Sequence, residues 1–537
     1  MPKIIRTCDY PKRAAVAGAG AVAIMAVAAA LVLPSPAGAQ APKRGGTLNL
    51  ATNQTIDTLD ANSSSVTIVR TIHEHTHGQL YVYDGKYALT ADLADSHTVS
   101  ADHRTWTFKL RGNVVFHDGS TLDAEDVVAS WNRFVKVSPA GKQTAKGVTA
   151  VKAADPMTVV FEFDSDPGLF LENISKPHAT FKIYPREVAE KAADRALHFE
   201  EMIGTGPYKF AQWERGKSLT MERFDKFVAD TRHPGPDGLG GRKTAYLDKI
   251  VWNFVSEAGA HEAGLRSGRF DMVDNVPLEM KDSLEKEKGF TGTVIKPYSW
   301  INMMVNHHNA PMNDLKVRRA VQIGLDQGLI MLAAIGNPSM IRLSPGIAFD
   351  EQVWTSKEGA QYYAKNDKAQ AKKLLAEAGY KGEPITMLTT RTIDYMYKSA
   401  VVVQQELQGI GMNVKLEVMD WAALLGHITN KTLWPKWHLS SMGHSLRHDP
   451  SGWDRNFRSD QWTPYVNPEM DKLLDAVGRE RDFAKRYAAF ANIQKIFHED
   501  VVNIKHGDFF AWHAHRDYVK GYTSFEGFML WNVWLDK

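Results

Sequence analysis

Residues His73-Glu74-His75-Thr76-His77 spell the spacing H-E-x-x-H. On a helix the outer histidines of that motif share a face and can hold zinc, with the glutamate as general base toward a bound water. Zinc-dependent hydrolysis through His73, Glu74 and His77 is therefore one chemistry the chain could carry. Against it, Gly78 stops a helix immediately, and the continuation that brings a third histidine is absent. The other histidine groups are poorer ligand sets. His307 and His308 are adjacent, so on a strand they point to opposite faces. His444 and His448 fall in a loop that could line a cleft, and His513 and His515 make a further pair. No G-x-S-x-G elbow, Walker loop or paired C-x-x-C occurs, so nothing here calls for a cofactor.

The chain has 537 residues, enough for three or four units of ordinary domain size. Hydrophobic residues make up 44% and charged residues 23%, the balance of a chain that folds around buried cores. With 64 basic against 62 acidic residues the net charge is only +2, and no basic stripe stands out. Nucleic acid is not an expected partner.

The first 39 residues have the organisation of a secretory signal peptide. Lys3, Arg6, Lys12 and Arg13 precede an apolar run over 14–33, Pro34 and Pro36 break it, and Ala37-Gly38-Ala39 offers a small-residue cleavage site. A retained anchor is the competing reading, since about 20 apolar residues can span a bilayer. The Ala- and Val-rich run ending in helix breakers favours cleavage, and no stable membrane insertion afterwards. Cys8, the one cysteine, precedes the run and would be removed with it. The exported chain would then rely on core burial rather than disulfides.

The elements that must carry any site follow from periodicity. Thr47 to Leu50 reads as a strand, and 66–77 as a helix stopped by Gly78. Trp106, Phe108 and Leu110 alternate with polar residues, as a half-buried strand does. A short strand is expected at 114–116, and Asp123 with Glu125 and Asp126 marks a helix start. Strands follow at 158–163, 208–212, 219–223 and 250–255. From 301 onward, strand and helix alternate: strands at 301–306, 385–388 and 414–418, and helices at 315–325, 327–335, 367–379 and 397–407. Such alternation implies βαβ units, whose ligands sit at the carboxyl ends of strands.

Four ordered blocks resemble the bacterial extracellular solute-binding proteins of family 5, the dipeptide-, oligopeptide- and nickel-binding proteins of ABC importers. They are Leu93-Ala94-Asp95-Ser96 through Trp106–Arg111, Val115–Gly119 and Ala124–Val128; then Gly204-Thr205-Gly206-Pro207-Tyr208; then Asn306 through Leu325-Asp326; and Ala371 through Tyr380. The resemblance implies an α/β fold, a two-lobed clamp with an inserted α+β domain, three domains in all. The first lobe would comprise 40–78, 201–295 and 508–537, the inserted domain 79–200, and the second lobe 296–507. The implied protein is a non-enzymatic monomer of the periplasm. It would take a peptide-like, opine-like or other polar or anionic solute and deliver it to a membrane permease.

Candidate ligand residues follow from that frame. Tyr298 and Trp300 would stand where the chain enters the second lobe, with Trp421 and Trp453 as further aromatic walls. Arg391 lies near the position at which dipeptide-binding relatives place an arginine for the ligand carboxylate. In peptide-binding relatives an acidic residue shortly before an Asp-Pro pair holds the peptide amine. Here Asp449-Pro450 follows His444-Ser445-Leu446-Arg447-His448, with no carboxylate. Arg447 instead offers a cation suited to an anionic or polar ligand, unless it pairs with Asp449 or Asp454.

Overall fold

Two long strands, Phe290–Val305 and Asn503–Arg516, run antiparallel through the middle of the molecule. The computed structural model describes residues 41–64, 66–177, 181–274, 276–461, 463–525 and 527–537. The expected signal segment over 1–39 lies outside the described residues. The pairing of the long strands shifts register between Ile295 and Ser299, around Pro297, which has no N–H to give the ladder. From Ser299 to Val305 every residue is buried, as expected of a strand covered on both faces.

Each side of that break carries its own half-sheet. On one side Met272–Val273 pairs with the end of Asn503–Arg516, followed by Thr47–Thr52, Lys249–Phe254, Ser218–Arg223 and Tyr208–Glu214. Thr47–Thr52 is parallel to both of its neighbours. On the other side Leu439–Ser445 pairs with Ser299–Val305, followed by parallel strands Pro384–Thr389 and Asn413–Val418. Leu50, Trp252 and Met221 belong to one core, and Met303, Val321, Met387 and Val403 to another. This is a mixed α/β fold with two lobes sharing a two-strand spine.

A separate antiparallel sheet orders Ala94–Val99, Thr105–Leu110, Thr158–Phe163 and Val148–Asp155. Trp106, Phe108 and Leu110 point into its core, where Trp131 and Phe134 of helix Ala124–Val137 cover them. That helix starts at a reciprocal cap. Asp123 accepts from the Glu125 and Asp126 backbones, and Asp126 accepts from Asp123 N. The strand expected at 114–116 is only a bridge, Val115 to Thr121, because turns on both sides leave no room to extend it. The strand expected at 301–306 begins eleven residues earlier, at Phe290; the interruption at Pro297 hides the continuity. Among the described residues no helix is long and apolar enough to cross a membrane.

Candidate functional site

The carboxyl ends of both half-sheets face the crossover. Thr52 and Val273 end parallel strands on one side; Thr389, Val418 and Ser445 end strands on the other. Tyr298 lies between them. It is 46% exposed, and its ring meets Phe509 edge-on at 5.6 Å, while Phe509 contacts Tyr395 at 5.1 Å. The Tyr395 hydroxyl crowds the backbone of Gly443, where an added Cβ would sit 2.3 Å from it, so a larger residue there would have to displace that ring. From the first lobe, Thr52 Oγ1 donates to Asp274 at 2.5 Å and Asn53 N donates to its other oxygen at 3.2 Å. Burial raises the Asp274 carboxyl above its ordinary range. Open carboxyl ends, a half-exposed aromatic and polar groups from both half-sheets meet at this edge, the place where open α/β sheets hold ligands.

The sequence candidates divide around this edge. Tyr298 stands in it. Arg391 is exposed just beyond Pro384–Thr389, its guanidinium over the Tyr397 ring at 4.6 Å and donating to that hydroxyl at 3.0 Å. Trp421 opens the helix Trp421–Thr429, capped by Asp420, and is half-buried against Leu388 and Leu424. Trp300, His444 and Trp453 form a packed layer beneath the edge, with ring centroids 4.9–5.5 Å apart. Burial first, then the neighbouring Arg447, pushes the His444 imidazole down to about 3. Leu446 N donates to Tyr298 O at 3.3 Å, pinning the loop that carries Arg447 beside the crossover. Arg447 does not pair with Asp449. That carboxylate accepts from Arg486 at 2.5 Å and caps Ser451 N at 2.9 Å, and Asp454 pairs with Arg458.

The surroundings of the H-E-x-x-H residues give the zinc reading no support. The helix spans Thr67–Thr76, and the His77 N–H closes its last turn on His73 O at 2.8 Å, so the two buried rings lie side by side with centroids 4.5 Å apart. The Glu74 carboxylate is taken by Lys182 at 2.7 Å, both side chains buried. His73 Nε2 bonds Leu59 O, and His75 bonds Thr71 O and Leu530 N. Burial lowers the His73 imidazole to about 4. Among the described residues no group of three or more His, Cys, Asp or Glu could hold a metal ion. His513 bonds Tyr522 at 2.7 Å, and His307 and His438 contact backbone carbonyls.

The model of the bacterial extracellular solute-binding proteins, family 5, matches residues 88–462, well over half of the chain. The chain belongs to this family. Members of family 5 are the substrate-binding components of ABC importers and work with a permease, and this chain is a periplasmic ABC solute-binding protein. It is 28% identical to a probable peptide ABC transporter periplasmic-binding protein of Sinorhizobium fredii, over 61% of this chain and 62% of that one. It is 25% identical to the probable D,D-dipeptide-binding periplasmic protein of Escherichia coli, over 84% and 86% respectively. In fold it is similar to the ABC transporter substrate-binding protein CtaP of Listeria monocytogenes, with TM-score 0.80 and 22% identity, covering 92% of this chain and 100% of the other.

Within this family 5 chain, sequence reasoning did not single out Thr52, Asp274, Tyr395 and Phe509, which stand at this edge. Asp274 follows a two-residue strand, Met272–Val273, too short to show a period. Phe509 sits inside a long run with no alternation, Asn503–Arg516, buried at nearly every position.

Proposed function

We propose that this protein captures a small polar solute of peptide-like chemistry between its two lobes, closes on it and presents it to an ABC permease. The convergence of strand carboxyl ends from both half-sheets on Tyr298 and Phe509 is the observation that carries the reading. The relatives named for peptides support the ligand class. In this reading the lobes are 40–78 with 201–295 and 508–537, and 296–507, with 79–200 inserted; closure bends the spine at the register shift near Pro297. The segment over 1–39 directs export to the periplasm. Tyr298, Arg391 and Trp421 meet the solute, and Trp300, His444 and Trp453 support the floor beneath them. Solution scattering of the purified protein against short peptides, opines and sugars tests the clamp. A ligand-dependent decrease in radius of gyration is expected; no change with any solute would sink it.

A further inference from the structure

Among the described residues Arg447 is a cation without a counter-charge. Its guanidinium lies over the Trp453 ring at 5.4 Å. Among the described residues no carboxylate or carbonyl accepts from it; only its backbone oxygen is engaged, by Gln352 at 2.6 Å. Its charged neighbour is another cation, Arg455, which with burial lowers the Arg447 pKa. A guanidinium taken partly out of water normally finds an anion, because unpaired burial of charge is costly. Elsewhere this fold follows that rule: Arg133 pairs with Asp60, Arg342 with Glu351 and Asp508, and Arg486 with Asp449 and Glu172.

A second observation converges on the same place. His444 Nε2 and Trp300 Nε1 are buried and have no hydrogen-bond partner among the described residues. The two rings lie 4.9 Å apart, and His444 is 5.4 Å from Trp453, under Arg447. Buried polar atoms are nearly always satisfied, so unsatisfied ones clustered beside an unpaired cation mark a place for a partner.

We propose that Arg447, backed by Arg455 and by the unpartnered His444 and Trp300 nitrogens, forms an anion subsite that takes an oxyacid group, a carboxylate or phosphate, of the bound solute. This deepens the proposed solute-capture function and rests on it. Bidentate pairing with a planar guanidinium suits both oxyanions, and the test separates them.

Calorimetric titration of wild type, Arg447→Gln, Arg447→Lys and Arg455→Gln with glutarate, inorganic phosphate and the neutral glutaramide decides it. At least one anion is expected to bind wild type and glutaramide to bind more weakly. Arg447→Gln should weaken the anion about tenfold or more, Arg447→Lys less, and Arg455→Gln by a smaller factor, since it only adds to the field. The melting temperature of ligand-free Arg447→Gln should be equal to or above wild type, which a purely structural arginine would not allow. No binding of either anion, or equal binding by Arg447→Gln, overturns the subsite. If neutral solutes still compact the protein in scattering, the clamp survives that result. If anions bind through Arg447 without compaction, the subsite stands and the clamp falls.

Discussion

Asp449 and Arg486 form a buried ion pair at 2.5 Å, and the same guanidinium reaches Glu172 at 3.2 Å. Glu172 sits on helix Phe170–Ser175, which packs with the four-stranded sheet, whereas Arg486 is on Phe483–Glu499 of the opposite body. A second tie, Arg481 to Asp166 and Gly168 O, repeats the bridge. Burial works to raise the Asp449 carboxyl, but Arg486 and then Lys176 hold it below its ordinary range. Burial, then the Asp449 charge, raises Glu172. One guanidinium thus neutralises two carboxylates from separate bodies.

Removing that cation leaves the two carboxylates with only Lys176 to offset their charge. Arg486→Met should cost about 3–5 kcal/mol of stability, read as a fall in the urea midpoint. Adding Asp449→Asn to Arg486→Met should recover part of it, because the two substitutions touch one network. A fully additive double variant would mean the pair contributes no coupling.

Glu74 invites the opposite expectation from the one its motif suggests. It serves Lys182 as a buried partner, so Glu74→Gln should destabilise the protein by about 3–5 kcal/mol, with no loss of any hydrolytic activity. Elemental analysis should find no stoichiometric zinc, and chelator should leave the melting temperature unchanged. One zinc per chain, removed with a drop in melting temperature, would restore the metal reading.

Buried histidines set the acid limit. Burial lowers His73 and His117 to about 4, and His75, His506 and His513 to about 3, against about 6.5 in an unfolded chain. Their folded pKa values are depressed, so between those values and about 6.5 the unfolded chain binds more protons. Their stability is present above about pH 6.5 and is lost as pH falls toward 4 and below, by about 1.4 kcal/mol per pH unit for each group. Asp126 works against them: burial raises its carboxyl to about 6, so its share is lost as pH rises from about 4 to 6. Urea midpoints should fall steeply from about pH 6.5 to 4.5, and His513→Phe should make the slope shallower. A flat profile would show that these imidazoles are hydrated.

Much of this arrangement was legible because local chemistry and tertiary demand agree. Asp123 caps the helix its sequence marks, and Gly336 ends Gln327–Ile335 at φ +79° as its position suggests. Alternation at 106, 108 and 110 survives because that sheet has one buried face. The helix expected over 66–77 is Thr67–Thr76, with His77 as the cap residue whose N–H closes the last turn on His73 O. Trp300, His444 and Trp453 pack against one another beneath the edge, because aromatic type alone does not reveal which face of a strand meets helices. The pairing of Asp449 with Arg486, 37 residues away, has no local signal at all.

Tyr298 separates binding from folding. It is 46% exposed and touches Phe509 only edge-on, so Tyr298→Ala removes little buried area and should lower stability by about 1 kcal/mol or less. The same truncation strips an aromatic anchor from the centre of the cleft. A loss of about 2 kcal/mol in solute affinity, roughly thirtyfold in Kd, is expected. Met303→Ala, fully buried further along the same strand, should do the reverse: about 2–5 kcal/mol of stability lost, with Kd unchanged for the protein that remains folded. Calorimetry with the solute recovered by mass spectrometry from purified protein, beside urea denaturation, measures both. Unaltered affinity in Tyr298→Ala would move the ligand away from the crossover and leave the strand edge as scaffold.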